Sequence, residues 1–369
     1  MNRARLLVIG GFLGAGKTTA LLRLAREYQE RGLRVGLITN DQAAQLVDTG
    51  TMRVQGFRVE EVAGACFCCK FDDLARAAEK IRADERPDIL LGEPVGSCTD
   101  LAATVVAPLR KLHGDRYEVA PYSVLVDPTR ARQIVLERGF GGFSAKVAYI
   151  FQKQLEEADV IGLNKVDLLA APARAELVAA LRREFPRAAV IELSGLTGEG
   201  FATWRAALAR PAPARANIVA VDYDTYAEGE AELGWLNLTM AVTGAREFDA
   251  SAIARELVER LRDGLTERGA EVAHLKVLLE ADGRGAVANA IGAGTPVRIS
   301  QQLAAPVRAA TLTLNARVHM DPHQLRALAD AALARVLGDH ALAGVLGEAT
   351  QLRPGRPVPT HRFADADGA

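Results

Sequence analysis

Through the first 210 residues, short apolar runs alternate with amphipathic segments, the pattern of successive βαβ units. The apolar runs predict strands at Arg5–Gly10, Arg34–Ile38, Phe57–Glu61, Asp88–Leu91, Tyr122–Val126, Val160–Leu163 and Ala189–Leu193. Helical periodicity falls between them, at Lys17–Arg31, Asp72–Ala83, Asp100–Leu112, Ala145–Glu157, Ala173–Phe185 and Gly200–Leu208. Most of the strand runs are Val, Ile and Leu without strict alternation, as expected of a parallel sheet buried on both faces.

The stretch ARPAPARAN, 209–217, carries no periodicity and reads as a linker. Beyond it, LGWLNLTMAV at 233–242 alternates apolar and polar residues like a half-exposed antiparallel strand. A helix at Ser251–Arg268, strands at Val272–Leu279, Gly285–Ala290 and Ala309–Arg317, and a helix at Pro322–Leu337 complete a β-α-β-β-β-α order. That order suggests a small α+β domain. The last 17 residues, from Arg353, hold three prolines and little apolar material, and read as a disordered tail.

Composition narrows the function. Hydrophobic residues make up 49% of the 369-residue chain, enough for packed cores, and the formal net charge is −1. Acids and bases nearly balance, so no field favours nucleic acid or an anionic membrane. No run of 18 or more apolar residues exists, so no membrane span is expected. The start, MNRARLLVIGGFLGAGK, has a leader-like basic and apolar opening. It ends in a glycine-rich loop with a lysine, so no leader is expected. Four cysteines are too few for a secreted disulfide framework, which points to reduced thiols and a cytoplasmic protein.

That glycine-rich loop carries the first chemistry. Gly11-x4-Gly16-Lys17-Thr18 fits the P-loop pattern, directly after a predicted strand and opening a predicted helix. The nucleotide-binding residues expected here are Gly11, Gly14, Ala15, Gly16, Lys17, Thr18 and Thr19. Lys17 would serve the β- and γ-phosphates, and the Thr18 hydroxyl would ligate Mg²⁺. The chain has 8 lysines against 37 arginines, so a lysine at this position is a selected feature. Asn164-Lys165-x-Asp167 closes a later strand. A carboxylate at Asp167 can accept both N1–H and the exocyclic amine of guanine, which adenine cannot offer, so GTP is the expected ligand. Ser194 and Gly195, in LSGLTGEG, are expected to contact the base. Glu93 follows a buried strand and could hold a Mg²⁺-bound water or orient the attacking water. Asp41 or Asp48, after the second strand, could sense the γ-phosphate through Mg²⁺. The catalytic set is therefore Lys17, Glu93 and Asp41.

The segment AGACFCCK gathers Cys66, Cys68 and Cys69 into four positions. Thiolates are soft donors that prefer Zn²⁺, Co²⁺ or Cu⁺ to Mg²⁺, and three sulfurs with one further donor complete a tetrahedron. Gly64 eases the tight loop such spacing needs. A strained, reducible disulfide or an inert buried cluster are the other readings. Metal is favoured, with Cys98 expected to contribute little.

These strings together, GGFLGAGKTT, EVAGACFCC, Glu93-x-x-Gly96 and NKVD, resemble the CobW-like GTPases, a group related to UreG and HypB. The resemblance covers roughly residues 5 to 210. It implies an α/β P-loop NTPase domain with a mostly parallel sheet flanked by helices (1–210), followed after a linker (211–217) by a smaller α+β domain (218–352) and the tail (353–369). It further implies slow GTP hydrolysis, and zinc or cobalt bound at Cys66, Cys68 and Cys69 for delivery to a client metalloenzyme. A GTP-dependent homodimer is also expected. The chain departs from the family in reading Asn40-Asp41 for Asn-Glu, Ala65 before the first cysteine, and PVGSCTD after Glu93. It has no histidine-rich stretch, so metal storage is not expected. Two alternatives stay open: a maturation chaperone without metal cargo, and a redox-responsive regulatory GTPase.

Overall fold

The computed structural model describes residues 3–41, 47–292 and 295–363, with only the main chain of Asp41. The described residues form two compact units. Those of the first fall in Met1–Gln42, Phe57–Gly229 and Arg356–Ala369; those of the second fall in Ala43–Gly56 and Glu230–Gly355.

The first unit is built on a parallel sheet. Its strands are β1 (Ala4–Gly11), β2 (Val35–Asp41), β3 (Val59–Ala63), β4 (Ile89–Glu93), β5 (Tyr117–Val119), β6 (Ser123–Val126), β7 (Val160–Leu163) and β8 (Ala189–Glu192). They run in the order β3-β2-β4-β1-β6-β7-β8, with β5 also paired to β1. Every pairing is parallel. The unbroken apolar runs have the cause inferred from sequence: all residues of β4, β6 and β7 are buried. Helices Lys17–Glu30, Phe71–Glu85, Ala145–Glu156, Ala171–Glu184 and Phe201–Leu208 connect the strands. The predicted helix at 100–112 is a π-turn at Ala102–Val106 running into an α-helix at Ala107–His113.

The stretch expected as a linker is fastened to this unit, which continues to Gly229. Arg110 donates to the Pro213 carbonyl (3.2 Å), Asn217 to that of Ala158 (2.9 Å), and the Asp222 amide to the Tyr149 hydroxyl (2.7 Å). A helix at Tyr223–Ala231, absent from the predicted elements, follows.

The second unit is an antiparallel sheet of β9 (Gly234–Phe248), β10 (Val272–Ala281), β11 (Arg284–Ala290), β12 (Arg298–Gln301), β13 (Val307–Val318) and β14 (Leu342–Leu352), in the order β12-β11-β10-β13-β9-β14. Helices Ala250–Thr266 and Pro322–Asp339 share one core with it, through Leu257, Leu261, Leu325 and Leu333. Each helix starts on an aspartate, Asp249 or Asp321, whose carboxylate accepts two amides of the first turn, so the N-terminal donors are satisfied. Helix Val47–Val54 also belongs here. Val47 packs with Leu278 and Val287, and Asp48 pairs with Lys276 at 2.5 Å. Asp48 is thus held in an ion pair within the second unit. Among the described residues, no helix is long and apolar enough to cross a membrane.

Candidate nucleotide and metal site

In a parallel sheet the carboxyl ends of all strands point the same way, and ligands bind there. The sequence-predicted residues follow that rule: the P-loop leaves β1, Asn40 and Asp41 end β2, the cysteine loop leaves β3, Glu93 ends β4, Asn164–Asp167 follow β7, and Ser194 follows β8.

The P-loop needs two of its glycines for separate reasons. Gly11 sits at φ 133 with an ideal Cβ falling 2.2 Å from the Leu125 carbonyl oxygen, so backbone contact with β6 excludes a side chain. Gly16 is left-handed (φ 85) and opens helix Lys17–Glu30, turning successive amides toward one point. Lys17 Nζ donates to the Gly11 carbonyl (2.9 Å), and the Thr18 hydroxyl donates to Glu93 Oε1 (3.0 Å). Lys17, Thr18 and Glu93 are buried, whereas Thr19 is exposed. Hard oxygen donors from Thr18 and Glu93 fit a Mg²⁺ ion. Asp41 closes β2, and its side chain lies outside the described residues.

Asn164 is a buried brace. Its amide donates to the Ala15 carbonyl (2.8 Å) and its oxygen accepts the Gly195 amide (2.9 Å), so it joins the P-loop to the loop after β8. Lys165, left-handed at φ 60, donates to the Gly14 carbonyl (2.7 Å) and to Asp127 Oδ2 (2.8 Å). Asp167 is exposed and accepts the Ser194 hydroxyl (2.6 Å), while Ser194 Oγ accepts the Thr197 amide (3.0 Å). Sequence reasoning missed Asp127. It caps helix Pro128–Ala131 after β6, and its signal was an aspartate before proline at the end of an apolar run.

The cysteine loop is pinned by Asn40. The buried Asn40 amide donates to the Val62 (2.8 Å) and Ala65 (2.7 Å) carbonyls, and its oxygen accepts the Phe67 amide (2.7 Å). Gly64 supplies the turn at φ 90, and the amides of Cys69 and Lys70 both donate to the Cys66 carbonyl at 3.0 Å. The Phe67 ring reaches the backbone of Gly92, next to Glu93, with its Cε2 3.7 Å from an ideal Gly92 Cβ. This fixed backbone brings the three sulfurs together. Cys66 Sγ lies 2.7 Å from Cys68 Sγ and 3.3 Å from Cys69 Sγ, and Cys68 and Cys69 are 3.8 Å apart, all as free cysteines.

Such crowding makes the cluster share charge. Thiols of Cys68, Cys69 and Cys98 bond to the Cys66 sulfur and push that group well below the ordinary thiol range. The bond to Cys66 raises Cys68 well above it, and Cys69 is pushed up to about 11 by the same neighbour. The neighbours' thiol protons thus favour charge on the Cys66 sulfur, a role a divalent cation would take over. The Cys98 thiol bonds to Cys66 and Cys68 and lies outside the mutually close set formed by Cys66, Cys68 and Cys69.

The tail also differs from expectation. Within residues 356–363, Val358 and Thr360 reach the cysteine loop. The Val358 amide donates to Cys69 Sγ (3.2 Å), and Thr360 donates to the Cys68 and Cys69 carbonyls (2.9 and 3.0 Å). Arg362 pairs with buried Asp100 at 2.7 Å. Prolines removed helical and strand signals from this segment but left donors that find the loop's carbonyls. Ending the chain at Gly355 should raise the labelling rate of Cys69 by at least about tenfold, since three hydrogen bonds of about 1 kcal/mol each are lost. The measurement is mass-resolved alkylation; an unchanged rate would show that the segment does not shield the thiol.

The family model described as the CobW/HypB/UreG nucleotide-binding domain matches residues 5–192. The chain belongs to the CobW/HypB/UreG family. Curated relatives include the zinc chaperone CobW of Sinorhizobium sp, 27% identical over 181 residues, covering 44% of this chain and 51% of that protein. Another is the zinc chaperone CobW of Pseudomonas aeruginosa, 28% identical over 214 residues, covering 50% and 54%. The chain spans about half the length of these relatives. Among solved structures, the Zn(II)-bound YjiA GTPase from E. coli is similar over 91% of this chain and 99% of that one, at 17% identity and TM-score 0.39.

Proposed function

We propose that the protein is a GTPase that carries zinc or cobalt on Cys66, Cys68 and Cys69 and passes it to a client metalloenzyme. GTP binding is assigned to the P-loop and to Asp167, and the work of hydrolysis to Lys17, Thr18 and Glu93. Lys17 offsets charge on the phosphates, and Glu93 orients water. Mg²⁺, held by the Thr18 hydroxyl, would neutralise charge between the β- and γ-phosphates. Family membership and the clustered thiols support the reading.

The observation that carries it is the Asn40 clamp. One side chain at the end of β2, in the position of a nucleotide-sensing segment, holds three backbone groups of the metal loop. A shift of β2 on nucleotide exchange therefore moves the sulfurs. Zinc affinity should differ between the GTP-analogue and GDP forms by about 5–150-fold, and zinc should change nucleotide affinity by the same factor. Isothermal titration of each ligand in the presence of the other checks both. Asn40→Ala should bring the factor close to one while both ligands still bind. Equal zinc affinity in the two nucleotide states of the unmodified protein would remove the coupling. Failure to bind zinc under reductant, with a Cys66–Cys68 disulfide forming in air, would favour a redox role.

A further inference from the structure

Cys98, on a different loop from the other three cysteines of the chain, reaches two of them. Cys98 follows β4, five residues beyond Glu93, and is 1% exposed. Its thiol is a hydrogen-bond partner of both Cys66 and Cys68. The loop is fixed rather than loose. Gln154 donates to the Gly96 (3.0 Å) and Cys98 (2.7 Å) carbonyls, and the Cys98 amide donates to Val95 (3.1 Å). Two residues on, Asp100 holds a left-handed φ of 64 and accepts from Tyr223 and Arg362, both at 2.7 Å.

A buried cysteine is most often a small apolar filler. Here its neighbours are sulfurs. Metal–sulfur bonds of about 2.3 Å set the ligand sulfurs of a tetrahedron about 3.8 Å apart. The motif supplies three vertices, whose Sγ atoms all lie within 4.8 Å of one another. Cys98 stands outside that mutual set but touches two of its members, which makes it the one further cysteine sulfur beside the three. His113 and His361 both pack on the Phe71 ring, at 5.9 and 5.1 Å, and neither is a bonding partner of the Cys66 or Cys68 sulfur.

We propose that Cys98 is the fourth ligand of the cargo metal, giving an all-cysteine site closed between the loop after β3 and the loop after β4. This rests on the metal-carrying function proposed above and specifies its donor set. Four thiolates on one divalent ion leave a cluster of net charge −2, their protons passing to solvent. The Val358 amide already donates to one of its sulfurs. The fourth bond ties the metal to the segment that carries Glu93, so breaking that bond alone leaves a three-sulfur ion open to an incoming client thiolate.

The test is X-ray absorption on the full chain, purified under reductant and loaded with zinc. Four sulfurs at about 2.3 Å are expected. Three sulfurs with one oxygen or nitrogen would overturn the assignment while leaving the metal function standing; no zinc uptake at all would overturn both. Cys98→Ser gives a second reading. With Co²⁺, sulfur-to-metal charge-transfer intensity should fall by about one quarter, as one thiolate of four is lost. Zinc affinity by chelator competition should drop by at least about tenfold. Unchanged intensity and affinity would overturn the proposal. Retained GTP binding verifies the fold of the variant, and if it is lost the wild-type sulfur count decides.

Discussion

Asp167→Asn should turn a protein that prefers GTP into one that prefers xanthosine triphosphate. The carboxylate of Asp167 is exposed at the end of the β7 loop and accepts the Ser194 hydroxyl at 2.6 Å. Ser194 in turn is held by the Thr197 amide, so the carboxylate is oriented before any base arrives. Guanine presents N1–H and an exocyclic amine, both donors, to that acceptor pair. Xanthine replaces the amine with a carbonyl, which a carboxylate repels and an amide N–H satisfies. Sites that leave a polar partner unmatched discriminate by about 10⁴ or more, so the preference should move by several orders of magnitude. An asparagine keeps the side-chain oxygen for Ser194, and the P-loop contacts are untouched, so the fold and phosphate binding should persist. Calorimetric titration of both nucleotides checks the result. If ATP competes equally with GTP in the unmodified protein, the guanine assignment is wrong.

What the sequence made legible was local chemistry at strand ends. Gly11–Thr18, Asn164–Asp167 and Cys66–Cys69 each announce themselves within a few residues. The buried parallel strands are equally plain because each is a continuous apolar run. The missed features depend on pairings remote along the chain. Asp127 gains meaning only when Lys165 reaches it from the next strand. Cys98 looks solitary until β4 sets it against the loop after β3. Strand β14 is mostly exposed and lacks alternation, and its ladder to β9 is invisible to a local pattern. The tail failed the same way: its prolines argue against regular structure, yet Val358, Thr360 and Arg362 find fixed partners.

Replacing Cys66, Cys68 and Cys69 together by serine should abolish zinc and cobalt binding and leave GTP binding intact. Zinc on structural thiolate sites is worth about 10–16 kcal/mol, and a serine hydroxyl is neither soft nor readily ionised, so little of that survives. The loop should keep its shape, because Asn40 holds it through the backbone of Val62, Ala65 and Phe67 and not through sulfur. In the unmodified protein, one Co²⁺ per chain should bring sulfur charge-transfer bands in the near ultraviolet and the strong visible bands of a tetrahedral ion. Uptake should release protons and weaken as pH falls, since cation and protons compete for the same sulfurs. All of these signals should vanish in the triple variant while its nucleotide affinity stays within a few-fold. Cys98, left with no companion sulfurs, should not sustain binding alone, because one thiolate cannot supply the chelate that makes the site tight. Full metal stoichiometry in the triple variant would place the metal elsewhere and return these thiols to a redox or purely structural role.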